Sequence, residues 1–167
     1  MGFSIRELDK KNQEDMNFFN KLEFESFKTT IKNVETFTEE ELIQKFKEFD
    51  ENDPVNIFDP EHQIFITEDE KKKKAGLIWL AKREPFWRFE EKLVWIYNIH
   101  VLPEYRNKGL AKMLMEKAEE WTKMQDCRVI ALHVIDDNVT ARNLYEMFNY
   151  KLVATHNESC FYEKNIS

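Results

Sequence analysis

Hydrophobic and polar positions repeat along this chain with two periods, one helical and one strand-like. Helical spacing marks four segments: residues 15–27, a segment after residue 38 that stops before residue 53, residues 110–124 and residues 139–148. Strand-like runs mark seven segments: residues 3–8, 63–67, 76–83, 92–101, 129–135, 150–156 and 159–163. A strand, two helices and three strands, followed by αβαββ, predict a mixed α/β or α+β fold.

The first two predicted helices show how the pattern assigns helix faces. Five large apolar side chains form the predicted buried face of the first: Met16, Phe19, Leu22, Phe24 and Phe27. The charged residues between them, Lys21, Glu23 and Glu25, are expected to face solvent. The second helix opens with a capping box, because Thr38 precedes Glu41 by three residues.

Composition narrows the class of protein. The 167 residues are 42% hydrophobic and contain 3 Gly and 4 Pro, which excludes collagen-like, low-complexity and disordered chains and predicts a single domain over residues 1–167. The net charge of −7 makes a nucleic-acid partner unexpected, because phosphates would approach a field of like sign. The same field favours cationic amines as partners.

Targeting and redox signals are not visible in the sequence. The first ten residues lack the apolar core of a secretory signal, and no apolar run approaches the ~20 residues of a membrane span. Cys127 and Cys160 are too few for a disulfide framework. We therefore expect a cytoplasmic protein that needs no membrane.

One segment, residues 96–111, has the composition of an anion-binding turn. An apolar strand is broken by Pro103, and a short polar loop then enters the third predicted helix. Helix N-termini expose unpaired N–H groups that bind phosphate, and Arg106 and Lys108 add positive charge. Gly109 and Ala111 lack bulk, so a diphosphate could approach the backbone. From these residues alone, a turn whose glycine merely accommodates the backbone is an equally valid interpretation.

Two motifs in this chain resemble signatures of the GNAT acetyltransferase superfamily. Residues 101–111, Val-Leu-Pro-Glu-Tyr-Arg-Asn-Lys-Gly-Leu-Ala, look like its Arg/Gln-x-x-Gly-x-Gly/Ala pyrophosphate loop. Asn138, Ala141 and Tyr145 resemble its second signature, in which Asn149-Tyr150 replaces the usual Gly-Phe. Asn tolerates left-handed backbone angles, so this turn is expected to survive the change. The order of elements also matches, and among family members the chain resembles N-terminal amine and ribosomal-protein-type acetyltransferases.

The resemblance implies a GNAT-like mixed central sheet of about six to seven strands flanked by about four helices. It implies a cleft between the strand that ends at Val101 and the strand at residues 129–135. Acetyl-CoA would be the cosubstrate, without a metal. Pantetheine and diphosphate would be held by eleven residues: Ile99, His100, Val101, Arg106, Asn107, Lys108, Gly109, Leu110, Ala111, Lys112 and Asn138.

The resemblance also implies catalytic roles for two residues. A lysine-like amine, with a pKa of ~10.4, is almost wholly protonated at neutral pH, so a base assists the reaction. His133, on the strand that lines the cleft, is the candidate base; alternatively it is a hydrogen-bonded histidine without catalytic duty. Tyr145 would donate a hydrogen bond to the departing sulfur; alternatively it is a core aromatic. No glutamate occupies residues 95–101, where many relatives carry the base.

The functional hypothesis is an acetyl-CoA-dependent N-acetyltransferase that acts by direct attack in a ternary complex. Its acceptor would be a primary amine, namely a protein or peptide N-terminus, a polyamine or a small cationic amine. By the same resemblance, residues 27–38 and 155–159 would form the wall of the acceptor site. The alternative is a non-catalytic acyl-CoA-binding sensor or interaction module. Either protein could form a homodimer.

Overall fold

The computed structural model describes residues 2–166, which form one sheet with helices on both faces. The strands are β1 (Ser4–Glu7), β2 (His62–Glu68), β3 (Lys74–Arg83), β4 (Leu93–Val101), β5 (Val129–Ile135), β6 (Lys151–His156) and β7 (Ser159–Asn165). The α-helices in this part of the chain are α1 (Gln13–Lys28), α2 (Glu39–Asn52), α3 (Leu110–Met124) and α4 (Val139–Met147). Short 3-10 helices occur at Val34–Thr36 and Pro103–Tyr105.

The seven strands lie in the order β1-β2-β3-β4-β5-β7-β6. Neighbouring strands are antiparallel except β4 and β5, which are parallel. The fold class and element order predicted from the sequence are confirmed. No helix within residues 2–166 is both long enough and apolar enough to cross a membrane.

Polar side chains at the helix N-termini explain where several helices begin. The capping box predicted for α2 is present, because Glu41 N–H donates to Thr38 Oγ1 at 3.1 Å and Thr38 N–H donates to Glu41 Oε1 at 2.9 Å. Asn12 caps α1 in the same manner, by accepting from the N–H of Asp15 at 3.0 Å. These bonds satisfy backbone donors that have no partner inside the helix.

The core is divided by the sheet into two sides. On the side of α3 and α4, here called the α3 face, Leu114 and Met115 pack against Ile96 and Leu132. On the side of α1, here called the α1 face, the packed side chains are Phe19, Leu22, Trp79 and Tyr97. A further aromatic group on the α1 face joins β4, β5 and β7 through Trp95, Ala131 and Phe161.

Strands β4 and β5 separate soon after they meet. Their ladder contains the pairs Val94–Ile130 and Trp95–Ala131 and then ends. In the pairing of β3 with β4, Trp79 lies opposite Asn98 and Leu80 lies opposite Ile96. Tyr97 is therefore the extra residue of a β-bulge in β4. The bulge lies next to the end of this ladder, so residues 96–101 are not paired with residues 132–135, and the space between these two segments is called the gap below. The end of the ladder coincides with the predicted position of the cleft, which stays a prediction.

Candidate active site

The N-terminus of α3, which follows the end of β4, presents unpaired backbone hydrogen-bond donors. The backbone N–H groups of residues 107–112, six in succession, donate no hydrogen bond to any residue in the range 2–166. Asn107 and Gly109 adopt left-handed conformations, with φ of 62° and 84°, and turn this backbone outwards. A Cβ added at Gly109 would meet no atom within 4 Å, so the space beside it is open. Such a turn can accept an anion that approaches the backbone closely.

Three cationic side chains surround these amides. Arg106 donates from Nε to the carbonyl of Val101 at 2.9 Å, which holds its guanidinium at the end of β4. Lys108 is exposed, and Lys112 lies 3.9 Å from Glu116 in a solvent-exposed ion pair. The first turn of α3 contains no acidic residue. Backbone donors and positive charge together fit a diphosphate, as the sequence motif predicts.

The second half of β4 offers a free backbone edge to the gap. Ile99, His100 and Val101 pair with β3 on one side, whereas their other edge has no strand beside it. The imidazole of His100 points away from this edge, since its Nδ1 lies 2.9 Å from the Oγ of Ser26 in α1. An extended edge of this kind pairs readily with an amide-bearing chain such as pantetheine.

Tyr145 lies on the α3 face of the gap. Its ring is buried in α4, 6.2 Å from the rings of Tyr150 and Tyr162, and only 7% of the residue is exposed. Every fully buried side-chain oxygen within residues 2–166 has a hydrogen-bond partner. The hydroxyl of Tyr145 has no partner in this range, so it is not fully buried. The hydroxyl is therefore the part that reaches solvent. Burial raises the pKa of Tyr145 above its usual value, so the group remains a donor at neutral pH.

The other residues of the second motif set the geometry of α4. Asn138 caps this helix, because its Oδ1 accepts from the N–H of Ala141 at 3.1 Å. Its contact with pantetheine stays a prediction, for which the side-chain Nδ2 is the group left to donate. Asn149 has a φ of 68°, so the predicted left-handed turn in place of Gly is confirmed.

His133 lies on the α1 face of β5. Its ring centroid is 5.8 Å from that of Trp95 and 5.4 Å from that of Phe161, while the outer side of the imidazole is exposed. Desolvation by the surrounding protein lowers its pKa. The neutral form therefore predominates at pH 7, and it can accept a proton.

Glu23 corrects the sequence analysis, which placed it in solvent. The structure turns its carboxylate towards β4, where Asn98 Nδ2 donates to Glu23 Oε1 at 2.7 Å. Glu23 faces inwards because it shares one face of α1 with three neighbours at spacings i, i+3, i+4 and i+7. These residues are Phe19, Leu22, Glu23 and Ser26. That spacing is the signal by which the residue could have been found.

The remaining apolar residues of α1 face another helix. Phe24 and Phe27 pack against Phe46 of α2, with ring centroids 5.5 and 5.2 Å apart, respectively. Helix α1 thus has two inward sides, and Glu23 at the edge between them is partly buried. A single apolar stripe, as the sequence analysis assumed, does not describe it.

Glu23 begins a chain of hydrogen bonds that crosses the bulge of β4. Ser26 Oγ donates to Asn98 Oδ1 at 3.0 Å and contacts His100 Nδ1 at 2.9 Å. Because the hydroxyl proton is used towards Asn98, Nδ1 of His100 is the donor in the second contact. Burial raises the pKa of Glu23 to about 7, an effect opposed by the hydrogen bond from Asn98 and increased by Asp50. Sequence reasoning singled out no member of this chain for a side-chain role.

No three or more His, Cys, Asp or Glu side chains within residues 2–166 are grouped so as to hold a metal ion.

Comparison with known sequences agrees with this geometry. Residues 8–150 match the model of the acetyltransferase (GNAT) family. The uncharacterised N-acetyltransferase YdgE of Bacillus subtilis (strain 168) is 27% identical over 154 residues, which are 91% of this chain and 94% of the relative. Spermidine N(1)-acetyltransferase of Vibrio cholerae is 29% identical over 116 residues, 69% of this chain and 64% of the relative.

Solved structures show the same fold. An acetyl transferase from Pyrococcus furiosus superposes with a TM-score of 0.75 at 26% identity, over 93% of this chain and 97% of the other. The PaiA N-acetyltransferase of Thermoplasma acidophilum, solved with coenzyme A, gives 0.70 at 19% identity and 99% of both chains. Residues 8–150, which match the family model, contain both motifs, the bulged strand β4 and the exposed N-terminus of α3. The chain therefore belongs to the acetyltransferase (GNAT) family.

Proposed function

We propose that this protein is an acetyl-CoA-dependent N-acetyltransferase that acetylates a primary amine by direct attack in a ternary complex. The observation that carries the proposal is the run of six backbone N–H groups at residues 107–112 without a protein partner, next to the gap between β4 and β5. The Thermoplasma acidophilum relative of the same fold was solved with coenzyme A, which supports this choice of ligand.

Different residues around the gap would bind different parts of acetyl-CoA. The amides of residues 107–112 and the guanidinium of Arg106 would bind the diphosphate. The free edge at Ile99, His100 and Val101 would pair with the pantetheine arm, and Asn138 would donate to it from Nδ2. Acetyl-CoA itself supplies an electrophilic thioester and a thiol as leaving group.

The two faces of the sheet separate the two catalytic residues. Tyr145, on the α3 face, donates its hydroxyl hydrogen bond to the sulfur as negative charge develops there. His133, on the α1 face, accepts the proton that the nitrogen releases when the C–N bond forms. The thioester and the amine would therefore enter the gap from opposite faces.

A cationic acceptor agrees with the charge of the protein, which is −7. The spermidine acetyltransferase of Vibrio cholerae, similar over 69% of this chain, supports a polyamine as the first acceptor to test. The two segments expected to form the wall of the acceptor site are joined by an exposed ion pair between Lys32 and Glu158 at 3.0 Å. The contact between the two segments supports a shared wall.

The test combines a binding measurement with an acceptor panel. Acetyl-CoA at about 100 times its dissociation constant should stabilise the protein by about 2.7 kcal/mol, a rise in Tm of roughly 5–10 °C. Thiol release is then followed with spermidine, a short peptide with a free N-terminus and a simple alkylamine. Binding without turnover on any amine would favour the acyl-CoA-binding module, and absence of any stabilisation would contradict both.

A further inference from the structure

We propose that Glu23 receives the acceptor amine: its carboxylate binds the ammonium group and takes the first of the two protons that the nitrogen loses. This inference rests on the proposed N-acetyltransferase function and names the residue that selects a cationic acceptor. It concerns a side chain on α1, whereas the motifs lie on β4, α3 and α4.

The position of Glu23 places it on the acceptor side of the gap. Its partner Asn98 directly follows the bulged Tyr97, where β4 has already left β5. Tyr97 packs with both aromatic groups of the α1 face and so connects Trp79 to Trp95, and Trp95 contacts His133. Glu23 and His133 therefore lie on the same face of the sheet, opposite Tyr145.

One oxygen of the carboxylate is held, and the other is available. Oε1 accepts from Asn98 Nδ2 at 2.7 Å. Oε2 has no partner among residues 2–166, and because every fully buried side-chain oxygen in this range has a partner, Oε2 keeps some exposure. A fixed carboxylate with one accessible oxygen is suited to accept a hydrogen bond from an ammonium group.

The surroundings of Glu23 lack a positive charge to neutralise it. Asn98 and Ser26 are neutral, Asp50 on α2 is acidic, and no Lys, Arg or His in the described chain forms an ion pair with it. His100, reached through Ser26, has a pKa lowered by burial and by Arg106, so it is neutral at pH 7. A cationic ligand would supply the missing partner.

The titration of Glu23 fits the same role. Burial raises its pKa to about 7, so the carboxylate and the carboxylic acid are both populated at neutral pH. A group with this pKa can accept a proton from a bound ammonium and pass it to solvent. An exposed glutamate, with a pKa of ~4.3, would be a weaker base.

The proton and bond changes balance with two bases. Glu23 takes one proton from the ammonium, and the neutral nitrogen uses its lone pair to form the C–N bond. The nitrogen then loses its second proton to His133. The C–S bond breaks, and the sulfur leaves with the bonding electron pair, hydrogen-bonded by Tyr145, and takes a proton from solvent to become the thiol, while Glu23 and His133 release their two protons to solvent. One proton is released in total for each ammonium acetylated.

The experiment compares Glu23→Gln with Glu14→Gln, which makes the same charge change at an exposed position of the same helix. Acetyl-CoA affinity, measured by calorimetry, should stay within about twofold in both variants, because Glu23 does not contact the proposed cosubstrate site. For an amine acceptor, kcat/KM should fall about 50-fold or more in Glu23→Gln and stay unchanged in Glu14→Gln. The rise of wild-type kcat/KM through pH 7 should disappear in Glu23→Gln.

A second variant tests whether the rise of kcat/KM through pH 7, here called the pH limb, reflects the ionisation of Glu23. Asn98→Ala removes the hydrogen bond that lowers the pKa of Glu23, so the limb should move to higher pH without disappearing. Glu23→Asp, which keeps the carboxylate, should retain a limb at reduced rate and guards against a folding defect. Wild-type-like kcat/KM and pH dependence in Glu23→Gln would overturn the inference. Wild-type protein that fails to bind acetyl-CoA would instead overturn the proposed function.

Discussion

The protein shifts the pKa values of two acidic residues of α1, Asp15 and Glu23, in opposite directions. Asp15 accepts from both guanidinium nitrogens of Arg6 at 2.8 Å, and this pairing lowers its pKa to about 2. Glu23 has only neutral hydrogen-bond partners, and burial raises its pKa to about 7. Asp15 therefore stabilises the fold as an anion, whereas ionised Glu23 destabilises it.

This contrast predicts how Glu23→Gln changes stability with pH. The unfolded chain loses the Glu23 proton near 4.5 and the folded chain near 7, so the free energy of unfolding falls as pH rises between these values. Because the group is only partly buried, we expect the full cost above pH 7 to be about 2–3 kcal/mol. Glu23→Gln should therefore raise Tm by several degrees at pH 8 and change it little at pH 4.5. Thermal melts at both pH values measure this, and an equal shift of Tm at both would contradict it.

Tyr145 carries a separate prediction about rate. Tyr145→Phe removes a hydrogen bond to a developing anion, worth about 1.5–3 kcal/mol, so kcat should fall roughly 10- to 100-fold while acetyl-CoA affinity is kept. Tyr150→Phe is the matched control, because Tyr150 is also buried but its hydroxyl donates to Glu119 at 3.3 Å. Single-turnover thiol release measures the step. Equal rates in wild type and Tyr145→Phe would return Tyr145 to a purely structural role.

Residues whose role depends on local conformation could be predicted from the sequence. Gly109 and Asn149 were expected at turns, and both have left-handed φ angles. The spacing of α1 could have shown that Glu23 shares a face with Leu22, but not that its carboxylate meets Asn98, 75 positions away. Burial of a charged side chain is a property of tertiary packing, and local periodicity reports only which residues share a helix face.

At the scale of elements, α4 begins at a residue with two proposed duties. Asn138 caps the helix through Oδ1 and would contact the pantetheine arm through Nδ2. Asn138→Ala should lower the free energy of unfolding by about 1 kcal/mol, because the cap is lost. Asn138→Asp should restore stability but not the donor, so acetyl-CoA affinity should remain roughly 2- to 10-fold lower. Thermal melts and calorimetry on both variants separate the duties, and full affinity in Asn138→Asp would limit the residue to capping.

The order of elements was predictable because each helix and strand has its own period and boundary residues. The site geometry was less so: the β4–β5 ladder ends after Trp95, and Tyr97 is bulged out of the β3–β4 pairing. Register between strands is set by contacts between distant segments, and a continuous apolar run does not show where a bulge interrupts it. The sequence thus predicted the two strands that border the gap but not the irregularity beside it.

For the whole molecule, the gap and the exposed turn at α3 form one row of backbone groups with unpaired groups at both ends, because the Val101 carbonyl and the N–H groups of residues 105 and 106 between them are hydrogen-bonded. Residues 96–101 have a free edge, and residues 107–112 have six free N–H groups, with the 3-10 helix Pro103–Tyr105 between them. Unpaired amides exchange hydrogen readily, and amides that bind a ligand are protected. Coenzyme binding at this row should therefore leave a pattern of protection that follows it.

Hydrogen–deuterium exchange with and without coenzyme A tests this pattern over the whole chain. We expect strong protection at residues 107–112, weaker protection at residues 96–101, and none at the β1–β2 edge of the sheet, which lies three strands from β5. Protection of the turn alone would indicate that the diphosphate binds while the pantetheine arm does not enter the gap. In that case Tyr145 could not reach the sulfur, and the direct-attack mechanism would fail even though coenzyme binding stands. Protection of both segments is expected, because the proposed mechanism needs the diphosphate at residues 107–112 and the pantetheine arm along residues 96–101.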